Sequence, residues 1–161
     1  MRKEFGLGFN VWIQPVSSPY KEKLSQLNYS SSWSVPSRAS KGDLIFYYHT
    51  HSPDKCVKEA FLLTSAVKHQ KAYWKPGMDY MGSIRLVCRL KAPLFFEDFQ
   101  RDHFLGTAGF VRGQMQGRPN VTEYWPYLYD RILRRNPSIR RPLERYAPDA
   151  LAPVGSRRVP P

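Results

Sequence analysis

Two groups of aromatic residues in this sequence have the chemistry needed to hold a flat ring. Trp33 follows a run of serines and is itself followed by Ser34, whereas Tyr73 and Trp74 lie together in a predicted loop at residues 69–80. An aromatic side chain returns the stacking energy that a nucleobase loses on leaving its helix, about 1–3 kcal/mol per base. Trp33 and Ser34 are therefore our first candidates for the wall of a base-binding pocket, and Tyr73 and Trp74 are candidates for a lid over it. A place in the protein core is the alternative for each.

Three more residues are candidates for the same wall: Asn10, Trp12 and Tyr48. Asn10 and Trp12 are two residues apart in an apolar run, so a strand would place both on one face. A buried amide needs a hydrogen-bond partner, which either a ligand or the protein would supply for Asn10. Tyr48 lies near the end of an aromatic strand, where one face packs in the core and the other is available to a pocket.

The charge balance points to an anionic partner. The chain of 161 residues has 25 Lys and Arg against 13 Asp and Glu, a net charge of +12. Such a field attracts nucleic acid or an anionic membrane surface, and we favour nucleic acid. The usual alternative for such charges is a solvated face. The side chains that we expect to contact a phosphate backbone or a base edge are Arg85, Arg89, Arg112, Gln114, Arg118 and Asn120.

No motif in the sequence indicates a metal site, a cofactor or an activated nucleophile. The chain has no G-x-S-x-G motif and no phosphate-binding loop. His49 and His51 lack a third ligand at a suitable spacing, and Cys56 and Cys88 are isolated. We expect both cysteines to be free thiols, although a disulfide between them remains open. We also expect a cytoplasmic protein, because no segment approaches ~18 apolar residues and the N-terminus does not resemble a signal peptide.

The patterning predicts an α+β fold. Period-two and apolar runs predict strands, and wider spacing predicts helices. The predicted strands span residues 7–13, 44–49, 57–67, 82–91 and 109–112, the predicted helices residues 20–27, 95–105 and 122–135, and a polar loop residues 28–32. Beyond residue 136 the chain becomes rich in Pro and Arg. We therefore predict a domain at residues 1–135 and a basic tail at residues 136–161.

Three segments together resemble the EVE domain family. The first is Trp33-Ser34-Val35-Pro36, followed by a Lys41-Gly42-Asp43 turn into an apolar strand. The second is the alternating strand at residues 84–90, which leads to Pro93-Leu94. The third runs from residues 109–114 to an aromatic helix that begins near residue 122. Their order and spacing cover residues 8–135.

This resemblance implies a PUA-like β pseudobarrel of five or six strands flanked by short helices, related to YTH, ASCH and SRA-type domains. Such a domain would bind a modified, methylated base in an aromatic cage, either flipped out of DNA or in single-stranded RNA. It would act as a monomer without catalysis or a cofactor, beside a nuclease or modification enzyme in another chain. Two alternatives remain: a small ASCH-like hydrolase that uses Lys41, Glu59 and Thr64, or a basic protein-interaction domain.

Overall fold

A computed structural model of the chain describes residues 8–17, 20–27, 29–51, 53–71 and 78–148. The strands in these ranges are β1 (Val11–Val16), β2 (Tyr29–Ser34), β3 (Leu44–His49), β4 (Cys56–Leu63), β5 (Lys68–Lys71) and β6 (Met78–Phe95). The helices are α1 (Tyr20–Ser25), α2 (Phe96–Arg101), α3 (Gly109–Arg112), α4 (Trp125–Arg135) and α5 (Arg140–Leu143). Short 3-10 turns lie at Leu105–Thr107, Thr122–Tyr124, Pro137–Ile139 and Glu144–Tyr146. No helix in these ranges is long and apolar enough to span a bilayer.

The six strands form one curled, mixed sheet in the order β1-β3-β4-β6-β2, and β5 also pairs with β6. β1 runs parallel to β3, and the other pairs are antiparallel. β6 holds the sheet together: its first half pairs with β2 and β5, and the half after Ser83 pairs with β4. This half-barrel with short helices confirms the predicted α+β fold of five or six strands.

The two faces of the sheet pack against different partners because strand residues alternate between them. One face, with Leu44 and Phe46 of β3, packs against α2 to α5 in what we call the helix-side core. The other face, with Ile45 and Tyr47, packs against α1 and the segment after β2 in what we call the cavity-side core. With both faces covered, all six residues of β3 are buried, as the aromatic run predicted.

The predicted boundaries at the first two strands were wrong. The first strand was expected to end before Pro15, yet β1 includes Pro15. This is tolerated because β1 lies at the end of the sheet order, where a missing N–H breaks no inner ladder. Residues 28–32 were expected to be a polar loop, but β2 begins at Tyr29. Hydrogen bonding to β6 makes this serine-rich segment a strand, which its composition does not indicate.

The predicted last strand at residues 109–112 is the helix α3. An apolar run this short is compatible with either structure, and tertiary packing decides between them. The N–H groups of Arg112 and Gly113 donate to the carbonyls of Ala108 and Gly109 at 3.0 and 2.8 Å. Phe110 and Val111 are buried in the helix-side core.

Residues 136–148, the first half of the predicted tail, pack onto the domain. Ile139, Leu143 and Tyr146 are buried in the helix-side core. The indole Nε1 of Trp125 donates to the carbonyl of Tyr146 at 2.7 Å. Asn136 accepts from the N–H of Ala92 at 2.8 Å and donates to its carbonyl at 3.0 Å. The predicted boundary at residue 135 therefore falls inside the packed structure, and residues 149–161 lie outside the described residues.

Candidate functional site

A cavity of about 720 Å³ opens on the cavity side of the sheet. Its wall is made by β1, α1, β2, the turn after β3 and the loop after α3. The lining residues are Gln14, Pro15, Val16, Ser17, Tyr20, Lys23, Ser32, Trp33, Ser34, Thr50, His51, Gln116 and Arg118. The volume lies within the ~300–1,000 Å³ typical of small-molecule sites.

Trp33 forms the aromatic wall of this cavity. It is half-buried, and it packs against the cavity-side core from strand β2. Its strand partner is Gly82 of β6, where a Cβ would come within 2.7 Å of Leu63 Cδ1. The next residue, Ser34, accepts a hydrogen bond from the hydroxyl of Tyr47 through its carbonyl at 2.8 Å. These contacts fix Trp33 in the rigid sheet.

Helix α1 contributes Tyr20 and Lys23 to the cavity wall. The Nη2 of Arg89 donates to the carbonyls of Leu24, at 3.2 Å, and Leu27. These bonds tie the end of α1 and the residues just after it to β6. Burial of Leu24 in the cavity-side core secures the same helix.

A second contact to α1 comes from a buried polar chain in the sheet. Ser25 Oγ donates to Glu59 Oε2 at 2.7 Å, and His49 Nε2 lies 2.6 Å from Glu59 Oε1. His49 and Glu59 are 1% and 0% exposed. Such a pair is stable only because each carboxylate oxygen has a partner. The Glu59 carboxylate therefore joins β3, β4 and α1.

Gln14 lies at the floor of the cavity and is only 2% exposed. Its neighbour across the parallel ladder is Tyr47. Within the described part of the chain, the side-chain Oε1 of Gln14 has no hydrogen-bond partner. A buried acceptor without a partner costs about 1–3 kcal/mol.

The charged groups along the cavity wall are cationic. Lys23 and Arg118 line it, and His51 stands beside them. No carboxylate occurs among the described lining residues. Lys23 Nζ lies 5.8 Å from the centre of the Tyr20 ring, so one cation flanks an aromatic face. This arrangement suits an anionic, ring-bearing ligand.

Arg118 reaches the cavity because its loop is pinned to the free edge of β1. The N–H of Ile13 donates to the carbonyl of Pro119 at 3.0 Å, and the N–H of Val121 donates to the carbonyl of Val11 at 2.8 Å. Arg118 has a φ of 52° and Met115 a φ of 64°, both in the left-handed region. Met115 is fully buried, which holds this strained turn in place.

Of the predicted cage residues, Trp33 and Ser34 line the cavity, whereas Asn10, Trp12 and Tyr48 do not. Asp43 fixes two of the three: it accepts from the N–H of Asn10 at 2.9 Å and from Trp12 Nε1 at 3.0 Å. The Asn10 side chain accepts from the Thr122 hydroxyl at 3.0 Å. The Asp of the Lys-Gly-Asp turn thus satisfies internal donors. Tyr48 packs in the helix-side core, and Tyr73 and Trp74 lie outside the described residues.

Of the predicted backbone contacts, Arg118 alone lines the cavity. Arg89 is instead bonded to α1, and the amide oxygen of Asn120 accepts from the N–H of Thr122 at 2.9 Å. The remaining three are exposed elsewhere on the surface: Arg85, Arg112 and Gln114. Both Asn120 and Arg89 therefore have structural roles that their residue types do not reveal.

Sequence reasoning missed Gln14, Tyr20 and Lys23. A signal for Gln14 was present, since it is a polar residue in an apolar run and two residues from Trp12. The argument that singled out Asn10 applies to it equally. Tyr20 and Lys23 had no such signal, because only the docking of α1 brings them to the cavity.

The residues considered for other chemistry are placed elsewhere. Cys56 and Cys88 are buried and form no disulfide, and burial raises the pKa of Cys88 to about 12. The described residues contain no group of three His, Cys, Asp or Glu side chains that could hold a metal ion. Lys41, Glu59 and Thr64, which the hydrolase alternative requires, are not among the lining residues.

No protein-family model and no curated protein matches this chain. Three solved structures share its fold. Rpa0253 from Rhodopseudomonas palustris is 12% identical, with a TM-score of 0.58 over 80% of this chain and 94% of that one. Atu2648 from Agrobacterium tumefaciens is 18% identical, with a TM-score of 0.55 over 78% and 91%. A hypothetical protein from Leishmania major is 15% identical, with a TM-score of 0.56 over 76% and 94%. At these identities the likeness concerns the fold alone.

Proposed function

We propose that this protein is a nucleic-acid-binding module of the EVE type that holds one modified, methylated base in the cavity beside Trp33. The base would come from DNA by flipping or from single-stranded RNA. The observation that carries the proposal is the combination of a cavity of about 720 Å³, an aromatic wall and a cationic lining.

The aromatic side chains on the wall suit a flat ring. Trp33 offers an aromatic surface that is fixed by the sheet, and Tyr20 offers a second from α1. Stacking on such a surface offsets the loss of base stacking by about 1–3 kcal/mol. A methyl group on the base adds roughly 0.8 kcal/mol when it is buried against apolar atoms.

The charges suit the phosphates on either side of that base. Lys23 and Arg118 line the cavity, and the whole chain has a net charge of +12. Phosphate contacts of this kind are independent of sequence and weaken with salt, whereas stacking is much less sensitive to salt. The proposed binding therefore has two parts that experiments can separate.

Binding without catalysis is the better-supported reading of the site. Glu59, the carboxylate that the hydrolase alternative would use, is fully buried and bonded to His49 and Ser25. It fixes α1 rather than facing the cavity. We accordingly propose that any chemistry on the nucleic acid belongs to a nuclease or modification enzyme in another chain.

The test is direct binding of labelled oligonucleotides, DNA and RNA, that carry unmodified or methylated adenine and cytosine. We expect a preference for one modified base that persists when the salt concentration is raised. Trp33→Ala should weaken that affinity at least about tenfold, which is the loss expected for one stacking contact. Phe104→Ala is the matched control, because Phe104 is an exposed aromatic residue that does not line the cavity.

Weak, equal and salt-sensitive binding to every oligonucleotide, unchanged in Trp33→Ala, would refute the proposal. It would leave the basic surface as the explanation of the charge. Lys23→Ala and Arg118→Ala should weaken the binding of all oligonucleotides about equally. Each should also reduce the slope of log affinity against log salt concentration by about one.

A further inference from the structure

The carboxamide oxygen of Gln14 is a buried acceptor beside the cavity that has no hydrogen-bond partner among the described residues. Two buried side-chain atoms in the described residues have no hydrogen-bond partner, Gln14 Oε1 and Arg89 Nε. Arg89 still donates two hydrogen bonds to α1 through Nη2. The oxygen of Gln14 has no such compensation, and buried acceptors in native structures usually have a partner.

The polar groups nearest to Gln14 in the sheet are already engaged. Tyr47, its ladder partner, donates its hydroxyl to the carbonyl of Ser34. His49, on the same face of β3, lies against Glu59. A ligand in the cavity that Gln14 lines could supply the missing donor.

We infer that Gln14 reads the edge of the bound base by accepting a hydrogen bond from its exocyclic amino group, an inference that rests on the proposed function. The ligand class is then a base with an exocyclic amino group, such as adenine or cytosine with or without an added methyl. Uracil and thymine are disfavoured. In these two bases the ring N–H lies between two carbonyl oxygens, and each of those oxygens would need its own hydrogen-bond donor in the cavity.

The geometry of a glutamine makes this contact accessible. The Oε1 atom is sealed from water, so an incoming donor reaches it after rotation of the terminal carboxamide. That torsion is broad and roughly twofold for glutamine, so the rotation costs little. In the rotated side chain the amide nitrogen takes the sealed position that the oxygen held, so Gln14 presents its oxygen to the base and accepts one hydrogen bond from the amino group.

The experiment compares bases that differ only in the amino group. Oligonucleotides of one sequence would carry adenine or purine, and cytosine or 2-pyrimidinone, at a single site. Oligonucleotides with uracil or thymine at that site complete the set. Wild type, Gln14→Met and Gln14→Glu would be titrated with each. Gln14→Met keeps the length of the side chain without polar groups at its end, and Gln14→Glu keeps an acceptor. Thermal unfolding of each variant checks that it is folded.

We expect the wild type to bind an amino-bearing base about tenfold to a hundredfold more tightly than its counterpart without the amino group, the range for one buried hydrogen bond. Gln14→Met should bind both members of a pair with the weaker affinity, and Gln14→Glu should retain the preference. Equal losses for both members in Gln14→Met, or a preference for uracil or thymine, would overturn the role of Gln14. The proposed function would survive either result if binding still depended on Trp33. Binding that ignores both Trp33 and the base would overturn both.

Discussion

The two cores on opposite faces of the sheet differ in how completely they are closed. In the described residues, the helix-side core comprises 25 buried apolar residues and the cavity-side core 10. Helices α2 to α5 pack on the first, whereas the short helix α1 and the segment after β2 pack on the second. In the described part of the chain, the second face also holds the cavity with the unsatisfied Gln14. Stability and binding are therefore expected to depend on different faces of one sheet.

Trp125→Ala should have the largest effect on stability and none on the cavity. Trp125 is 0% exposed, packs against Phe46 and donates to Tyr146. We expect a loss of about 3–5 kcal/mol in the free energy of unfolding, measured by urea denaturation. Trp33→Ala is the control on the other face and should cost much less, because Trp33 is only half-buried. Comparable losses for the two variants would contradict the division between the faces.

Glu59→Gln should affect both properties, because Glu59 ties α1 to the sheet. The amide keeps the volume but cannot accept from both Ser25 and His49 with two oxygens. We expect a loss of about 1–3 kcal/mol in stability and weaker oligonucleotide binding, as the wall with Tyr20 and Lys23 loosens. Ser25→Ala is the matched control, which removes only the contact to α1. Unchanged binding in both variants would show that α1 is held by Arg89 and Leu24 alone.

Asp102→Asn should lower the free energy of unfolding by about 1 kcal/mol and change how stability depends on pH in the acid range. Burial raises the pKa of Asp102, but hydrogen bonds from the backbone of Leu105, from Arg131 and from the backbone of Phe104 outweigh it and leave the pKa below its ordinary value of 3.8. A carboxyl group whose pKa is lowered by folding stabilises the folded state at pH values above its ordinary pKa. This stabilisation is lost as the pH falls through the pKa of the folded state. Denaturation midpoints from pH 7 to pH 2 should therefore fall less steeply in the variant, with unchanged binding at pH 7.

Gln14→Met should raise stability slightly, by up to about 1 kcal/mol, because it removes a buried acceptor without a partner. The same substitution should weaken binding to amino-bearing bases. A gain in stability with a loss of binding is the signature of a polar group kept for a ligand. A loss of stability would show instead that Gln14 contributes to folding, and would weaken the argument for its role.

The sequence was most informative where one property of a segment dominated. The aromatic run at residues 44–49 could only be a buried strand, and β3 has these bounds. The helical spacing of apolar residues predicted a helix at residues 122–135, and α4 spans Trp125–Arg135. It was least informative for short or polar segments. The serines of β2 and the four residues of α3 have weak local preferences, so pairing with β6 and burial against α2 determine them.

The same distinction holds for the site. Trp33, Ser34 and Arg118 could be chosen from residue type, because a stacking ring, its neighbour and a cation are plausible ligand contacts in any fold. Asn10, Trp12 and Asn120 have the same residue types but are engaged within the protein. Gln14, Tyr20 and Lys23 reach the cavity through the docking of β1 and α1.

The sequence by itself determined the fold class, the buried strand β3, the helix α4 and the strong positive charge, because hydrophobic periodicity and charge are properties of local sequence and composition. Only the tertiary structure decided which polar groups are satisfied internally and which buried ones have no partner among the described residues. Hydrogen-bond partners more than 30 residues apart in the chain, such as Asn10 and Asp43, are brought together by folding. No local pattern encodes that pairing.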